Sequence, residues 1–209
     1  MPSLSRGLAG RRALSLLALV LVMSVTTGAC AVGGPAFDPA GPCVADGQAQ
    51  GAYPELEALV PTEFEGEPPS RLDSGRNCTP ENLGPLVDSG IDEVRFAGGL
   101  WELGSESGTT LAVFSGRGLT AAILGEFYQE GAEQARKTDD VVGGPATVAG
   151  RPGYRLDLTN DGYLQTVVTW PAADGSVVQV ALVSSAARDV EDPAAHDATV
   201  ERAIAAFED

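Results

Sequence analysis

Apolar positions along this 209-residue chain fall into short patterns, each of which predicts an element. Residues 14–25 form an almost unbroken apolar run. Residues 54–61, PELEALVP, begin and end on proline and space Leu56, Leu59 and Val60 as a short helix would. The next stretch is interrupted by Pro68-Pro69 and can supply only a loop or an edge strand. Thr79-Pro80-Glu81 predicts a helix start with Thr79 as N-cap, Leu83, Leu86 and Val87 inward and Gly90 as the stop. Residues 93–103 read as a strand with Val94 and Phe96 on one face. Gly98-Gly99 then predicts a bulge that moves Trp101 and Leu103 onto a shared face. Residues 109–115 are apolar on both faces, which predicts a central strand.

From Leu119 to Arg136 the period becomes helical, with Leu119, Ile123 and Phe127 in one stripe and Leu124 and Tyr128 beside it. A short strand is expected at 146–149, then a turn at Gly150-Arg151-Pro152. Tyr154, Leu156 and Leu158 alternate with Arg155, Asp157 and Thr159 as a half-buried strand. Asn160-Asp161-Gly162 and PAADG turn the chain into strands at 163–170 and 177–183, an antiparallel meander. Asp192-Pro193 opens a last helix whose Val200, Ala203, Ile204 and Phe207 share a face. The sum is an α+β domain: an antiparallel sheet of about five to six strands, flanked by helices and closed by a C-terminal helix. The VAGRPGYRL hairpin, the later meander and the closing AIAAFE helix, within residues 146–207, resemble the PsbP/Mog1-like domains of actinobacterial lipoproteins. That resemblance implies a helix-flanked antiparallel sheet with a binding or accessory role and assigns no functional residue.

The apolar run near the start changes the picture of where the domain works. Arg6, Arg11 and Arg12 precede it, and it is too short to span a bilayer, which needs about 20 apolar residues. It ends at Thr27-Gly28-Ala29-Cys30, which resembles the lipobox of bacterial lipoproteins, with Thr27 in place of the usual leucine. The resemblance implies a signal peptide at 1–29, a diacylglycerol on Cys30 (with a palmitate-type chain on its amino group) and a cell-membrane anchor on the extracytoplasmic face. Simple secretory cleavage at the same small residues is the competing reading. Residues 30–52, rich in Gly, Ala and Pro, then read as a lipidated flexible tether, and 53–209 as a single domain. If Cys30 carries lipid, Cys43 and Cys78 remain as an even pair, expected as a disulfide in an oxidising compartment. Two unpaired buried thiols are the alternative.

Removing 1–29 takes away three arginines and no acids, leaving ten basic against 29 acidic residues, a net charge of −19. So acidic a surface argues against nucleic acid as a partner. The chain has one histidine, His196, at the edge of the last helix's apolar face and expected to pack or cap. A His-ligated metal or a Cys–His couple lacks parts, and no cofactor is expected. Gly116-Arg117-Gly118-Leu119-Thr120-Ala121 fits a dinucleotide fingerprint, but hairpin-like neighbours deny it a parallel βαβ setting. Asp157 to Gly162 imitates a calcium loop, yet Val168 stands where its closing glutamate belongs. What remains is a binding domain for an apolar small molecule or an envelope protein, with Trp101, Trp170, Tyr154 and Tyr163 as the aromatic candidates for its site. The alternative is an exported hydrolase working on cell-envelope material with a carboxylate pair, which requires two acids converging in a cleft.

Overall fold

The computed structural model describes residues 36–172 and 178–207. The leader and Cys30 lie outside the described residues. Eight strands, all paired antiparallel, form one sheet: β1 (Gly47–Ala49), β2 (Arg71–Asn77), β3 (Val94–Glu102), β4 (Ser107–Ser115), β5 (Thr138–Val148), β6 (Arg151–Asn160), β7 (Tyr163–Pro171) and β8 (Val180–Arg188). Their spatial order is β1-β2-β3-β4-β8-β7-β6-β5, so two four-stranded meanders meet where β4 pairs with β8. Helices α1 (Pro54–Glu57) and α4 (Pro193–Ala205) contribute to the core on one face, and α2 (Pro80–Leu83) and α3 (Ala121–Gln134) to that on the other. The expected class holds, an antiparallel sheet with flanking helices and a C-terminal helix, but eight strands replace the expected five to six.

The two additional strands are polar ones. β1 lies inside the stretch expected to be a flexible tether, and β2 in the stretch left as a loop or an edge strand. Their sequences, GQA and RLDSGRN, carry no apolar alternation, because hydrogen bonds rather than greasy side chains hold them in place. Arg76 is 1% exposed and donates to the carbonyls of Asp38, Gly41 and Pro42 while stacking on Phe37 at 5.7 Å. Such neutralisation by carbonyl dipoles is what lets a guanidinium be buried. A disulfide joins Cys43 to Cys78, with Cα atoms 6.0 Å apart. Asp46 accepts from the backbone N–H of Cys78 (2.5 Å) and of Thr79 (2.9 Å), from the Thr79 hydroxyl and from Asn82 Nδ2 (2.8 Å). Thr79 is the N-cap of α2, as expected, but its side chain makes no cap bond within the helix; Asp46, 33 residues upstream, holds the start of α2 in place instead.

The predicted bulge in β3 is also corrected. Its ladder to β4 runs without a shift from Arg95 to Glu102. Phe96 enters the core on the α3 side while Ala97 and Trp101 enter the core on the α4 side. A central strand buried on both faces needs no phase change to hide both sets. Gly99 leaves room for the indole of Trp101, since a Cβ there would stand 2.7 Å from the ring. The hairpin after β5 turns at Ala149-Gly150, both at positive φ, one residue before the predicted turn, so Arg151 and Pro152 belong to β6. In α3 the buried residues are Ala121, Leu124, Gly125 and Ala132, while Ile123, Phe127 and Tyr128 are only half-buried. The small residues allow a close approach to the sheet, so the predicted stripe is rotated by about one position. Among the described residues no helix is long and apolar enough to cross a membrane.

Candidate functional site

The first turn of α4 is set by Asp192, whose side chain accepts from the Ala194 N–H at 3.0 Å, with Pro193 as the first helical residue. From there His196, Val200, Ala203 and Ile204 recur on one face and are buried against the sheet. Each of the larger aliphatic side chains contributes about 1.5–3 kcal/mol by leaving water. His196 is thus part of the buried stripe, 6% exposed, rather than at its edge.

Beneath α4 the register of the sheet lines up a row that no single strand reveals. Trp101 stands opposite Thr109, Thr109 opposite Ser185, Ser185 opposite Thr166, and Thr166 opposite Asp157. Directly opposed residues share a face and touch. Thr109 Oγ1 and Ser185 Oγ are 3.1 Å apart, and Thr166 Oγ1 donates to Asp157 Oδ1 at 2.7 Å. Arg155 Nε and Nη2 reach the two Asp157 oxygens at 2.7 and 2.9 Å, and Nη2 also reaches Asp197 Oδ1 at 2.6 Å. His196 Nε2 lies 3.1 Å from Thr166 Oγ1. The Thr166 hydroxyl has one proton, which it donates to the ionised Asp157 in that hydrogen bond. The hydroxyl therefore accepts from His196, so Nε2 carries the hydrogen and Nδ1 is left with a lone pair. Burial holds the His196 pKa below the ordinary histidine value, against the pull of the Asp197 and Asp157 carboxylates.

At the Trp101 end of this row, the domain opens into a groove of about 1070 Å³. One wall is the two-residue turn at Glu65-Gly66, closed by the paired bonds Phe64 N–H to Glu67 O (2.9 Å) and Glu67 N–H to Phe64 O (3.1 Å). Both central residues have positive φ, 54° and 82°, as this type I′ turn requires. The opposite wall is α4 with His196, Thr199 and Arg202, and the far end is the β3–β4 turn and the end of β8. Trp101 lies in the floor, its Nε1 donating to Glu67 O at 2.8 Å and its ring edge-on to Phe64 at 6.2 Å. Six carboxylates surround the mouth in three pairs, Glu65 and Glu67, Glu102 and Glu106, Glu191 and Asp192, against the two arginines Arg188 and Arg202. Arg202 Nε bridges the walls to Glu65 Oε1 at 2.7 Å.

Of the four aromatic candidates, only Trp101 lines this groove. Trp170 is on the same face of the sheet but is covered by Phe207, edge-on at 5.3 Å, and by Arg151. Tyr154 lies on the α3 side, its ring against Gly125 and its hydroxyl donating to Gln129. Tyr163 is half-buried at the start of β7 under Arg188, whose guanidinium is 5.4 Å from the ring centre. The structure does not bring the four together. The sequence marks Asp157 only as a residue on the polar side of a half-buried strand and gives Thr166 no sign, because alternation gives a face and not a neighbour. Of the groove's serines, Ser185 is engaged with Thr109, Ser107 with the Leu103 carbonyl and Ser70 with the Leu100 carbonyl, and no serine–histidine hydrogen bond forms among the described residues. No three His, Cys, Asp or Glu side chains gather as a metal site among them. No protein-family model matches this chain, and no curated protein or solved structure matches it.

Proposed function

We propose that the chain is an extracytoplasmic lipoprotein, held on the cell membrane through lipid on Cys30, whose domain binds a ligand or an envelope partner without catalysing a reaction on it. The observation that carries the binding role is the groove of about 1070 Å³ between α4 and the Glu65-Gly66 turn. It is slightly larger than the roughly 300–1,000 Å³ typical of ligand sites. Its aromatic and aliphatic floor and polar rim match the usual make-up of such sites. The anchoring rests on the leader pattern, and the Cys43–Cys78 disulfide is in keeping with an oxidising compartment.

The test is made in cells with the full-length protein. A photo-crosslinking amino acid at Ala187, inside the groove, is expected to give a discrete product, and the same residue at Val142, on the outer strand β5, to give none. Cys30→Ala is expected to abolish fatty-acid labelling and release the protein from the membrane fraction. Equal crosslinking at both positions would overturn the groove as the site, and unchanged membrane retention without acyl label would overturn the anchor. The carboxylate hydrolase draws on the same six groove acids. Turnover of purified envelope polymer, lost in Glu102→Gln and Glu106→Gln, would replace the binding reading with it.

A further inference from the structure

We propose that the groove takes an amphipathic amine, a small molecule with an apolar body and protonated N–H donors, and that His196 Nδ1 accepts one of those hydrogens. This deepens the binding role given to the groove and rests on it. The ring of His196 lines the groove and is more than nine-tenths buried. Its Nε2 is satisfied by Thr166, and its Nδ1 has no hydrogen-bond partner among the described residues. The Thr166–Asp157 bond determines which nitrogen is bare. Unlike the side-chain atoms that are wholly enclosed without a partner, Nδ1 keeps some accessible surface in a residue that lines the groove, so a ligand's N–H can reach it, and an ionised carboxylate brings no such donor.

The charges around the mouth select the same class. Glu67, Glu102 and Glu191 form no ion pair among the described residues, and they come from three separate segments, the Glu65-Gly66 turn, the end of β3 and the approach to α4. Both arginines are engaged. Arg202 is held by Glu65, and Arg188 lies over Tyr163 with Glu106 and Asp189 at 3.9 and 3.8 Å. An anion would therefore meet three unpaired carboxylates and no unengaged cation, whereas an ammonium gains from all three. The floor of Trp101, Leu103 and Phe64 is apolar and suits a hydrocarbon or aromatic body rather than a bare metal ion. The Glu65–Arg202 bridge spans the groove, so a ligand cation that reaches Glu65 competes with the Arg202 guanidinium.

His196 is the sole histidine, so ¹⁵N-histidine labelling of the whole chain in neutral nanodiscs reports this ring alone. The probes are 4-phenylbutylamine, 4-phenylbutanol and 4-phenylbutyrate, which share one body and differ in charge, with tetralysine as a peptide control. Without ligand, Nε2 is expected to be protonated and Nδ1 bare. The amine is expected to move the Nδ1 resonance in a saturable way, the alcohol at several-fold higher concentration, and the acid not at all. Glu67→Gln and Glu102→Gln are expected to weaken the amine roughly two- to fivefold each, and Arg202→Met to tighten it by freeing Glu65. A role for the bridge in stability alone would move Glu65→Gln and Arg202→Met in the same direction, and that would overturn the competition. Equal response to all three probes would overturn the preference for cations while leaving the groove as a site. No response to any probe would overturn both, and response to tetralysine alone would assign the groove to a basic peptide segment instead.

Discussion

Thr166 has one hydroxyl proton and two neighbours that could take it, and the choice propagates to the only histidine in the chain. Because Asp157 is fixed by Arg155, the Thr166 hydroxyl donates its hydrogen bond to it, and His196 must donate to Thr166 through Nε2. The ring is buried neutral, and its folded pKa lies below the value of about 6.5 that it has in the unfolded chain. Between those two pH values the unfolded state binds more protons than the native state, so stability falls as pH falls from about 6.5 towards the folded pKa. Above 6.5 the group contributes no slope. Urea unfolding at pH 7.5 and 5.5 is expected to show a loss of stability on acidification that shrinks in His196→Gln. A loss of the same size in the variant would place the titrating group elsewhere. The sequence showed His196 one turn ahead of Val200, and so near the core. It could not show Thr166 beneath it, because that contact depends on how α4 lies across β7.

At the scale of elements, the beginning of α2 is built by a residue from a different part of the chain. Burial pushes the Asp46 carboxyl up, but the hydrogen bonds it receives from the Thr79 hydroxyl, the Cys78 and Thr79 N–H groups and Asn82 outweigh that and hold it below the ordinary aspartate value. Its contribution is therefore present above the unfolded pKa of about 3.9 and lost as pH falls through the folded one. Asp46→Ala is expected to cost about 1–3 kcal/mol at neutral pH, measured by chemical denaturation, with the gap to the parent protein closing below about pH 4. The Thr-Pro-Glu signal located both this helix start and its N-cap residue, Thr79, but not the hydrogen bonding there, since a local pattern cannot register an acceptor 33 residues away. The same limit explains β1 and β2. Strands held by a buried arginine and by backbone pairing leave no apolar alternation to read. By contrast, β6 and β7, with a turn at Asp161-Gly162, both at positive φ, were legible because hydrophobic alternation and turn chemistry agree there.

For the molecule as a whole, residues 36–49 are held against the rest of the domain by one disulfide, one buried guanidinium and the hydrogen bonds of Asp46. Opening a cross-link between residues 35 apart removes up to about 4 kcal/mol on the chain-entropy model. Reduction, or Cys43→Ser with Cys78→Ser, is expected to lower the unfolding midpoint and to raise amide exchange first in β1 and around Asp46, with β4, β7 and β8 still protected. Uniform loss of protection would mean that the staple supports the whole sheet. The sequence by itself determined the class, because strand and helix periods, turn residues and helix starts act over a few neighbours and need no partner to be recognised. It also determined the acidic charge, which follows from composition alone. The tertiary structure decided the number of strands, the joining of two meanders at β4 and β8, and the groove. Each depends on how distant segments pair and pack: register brings Trp101, Ser185 and Thr166 to one face, and the packing of α4 lays His196 on Thr166.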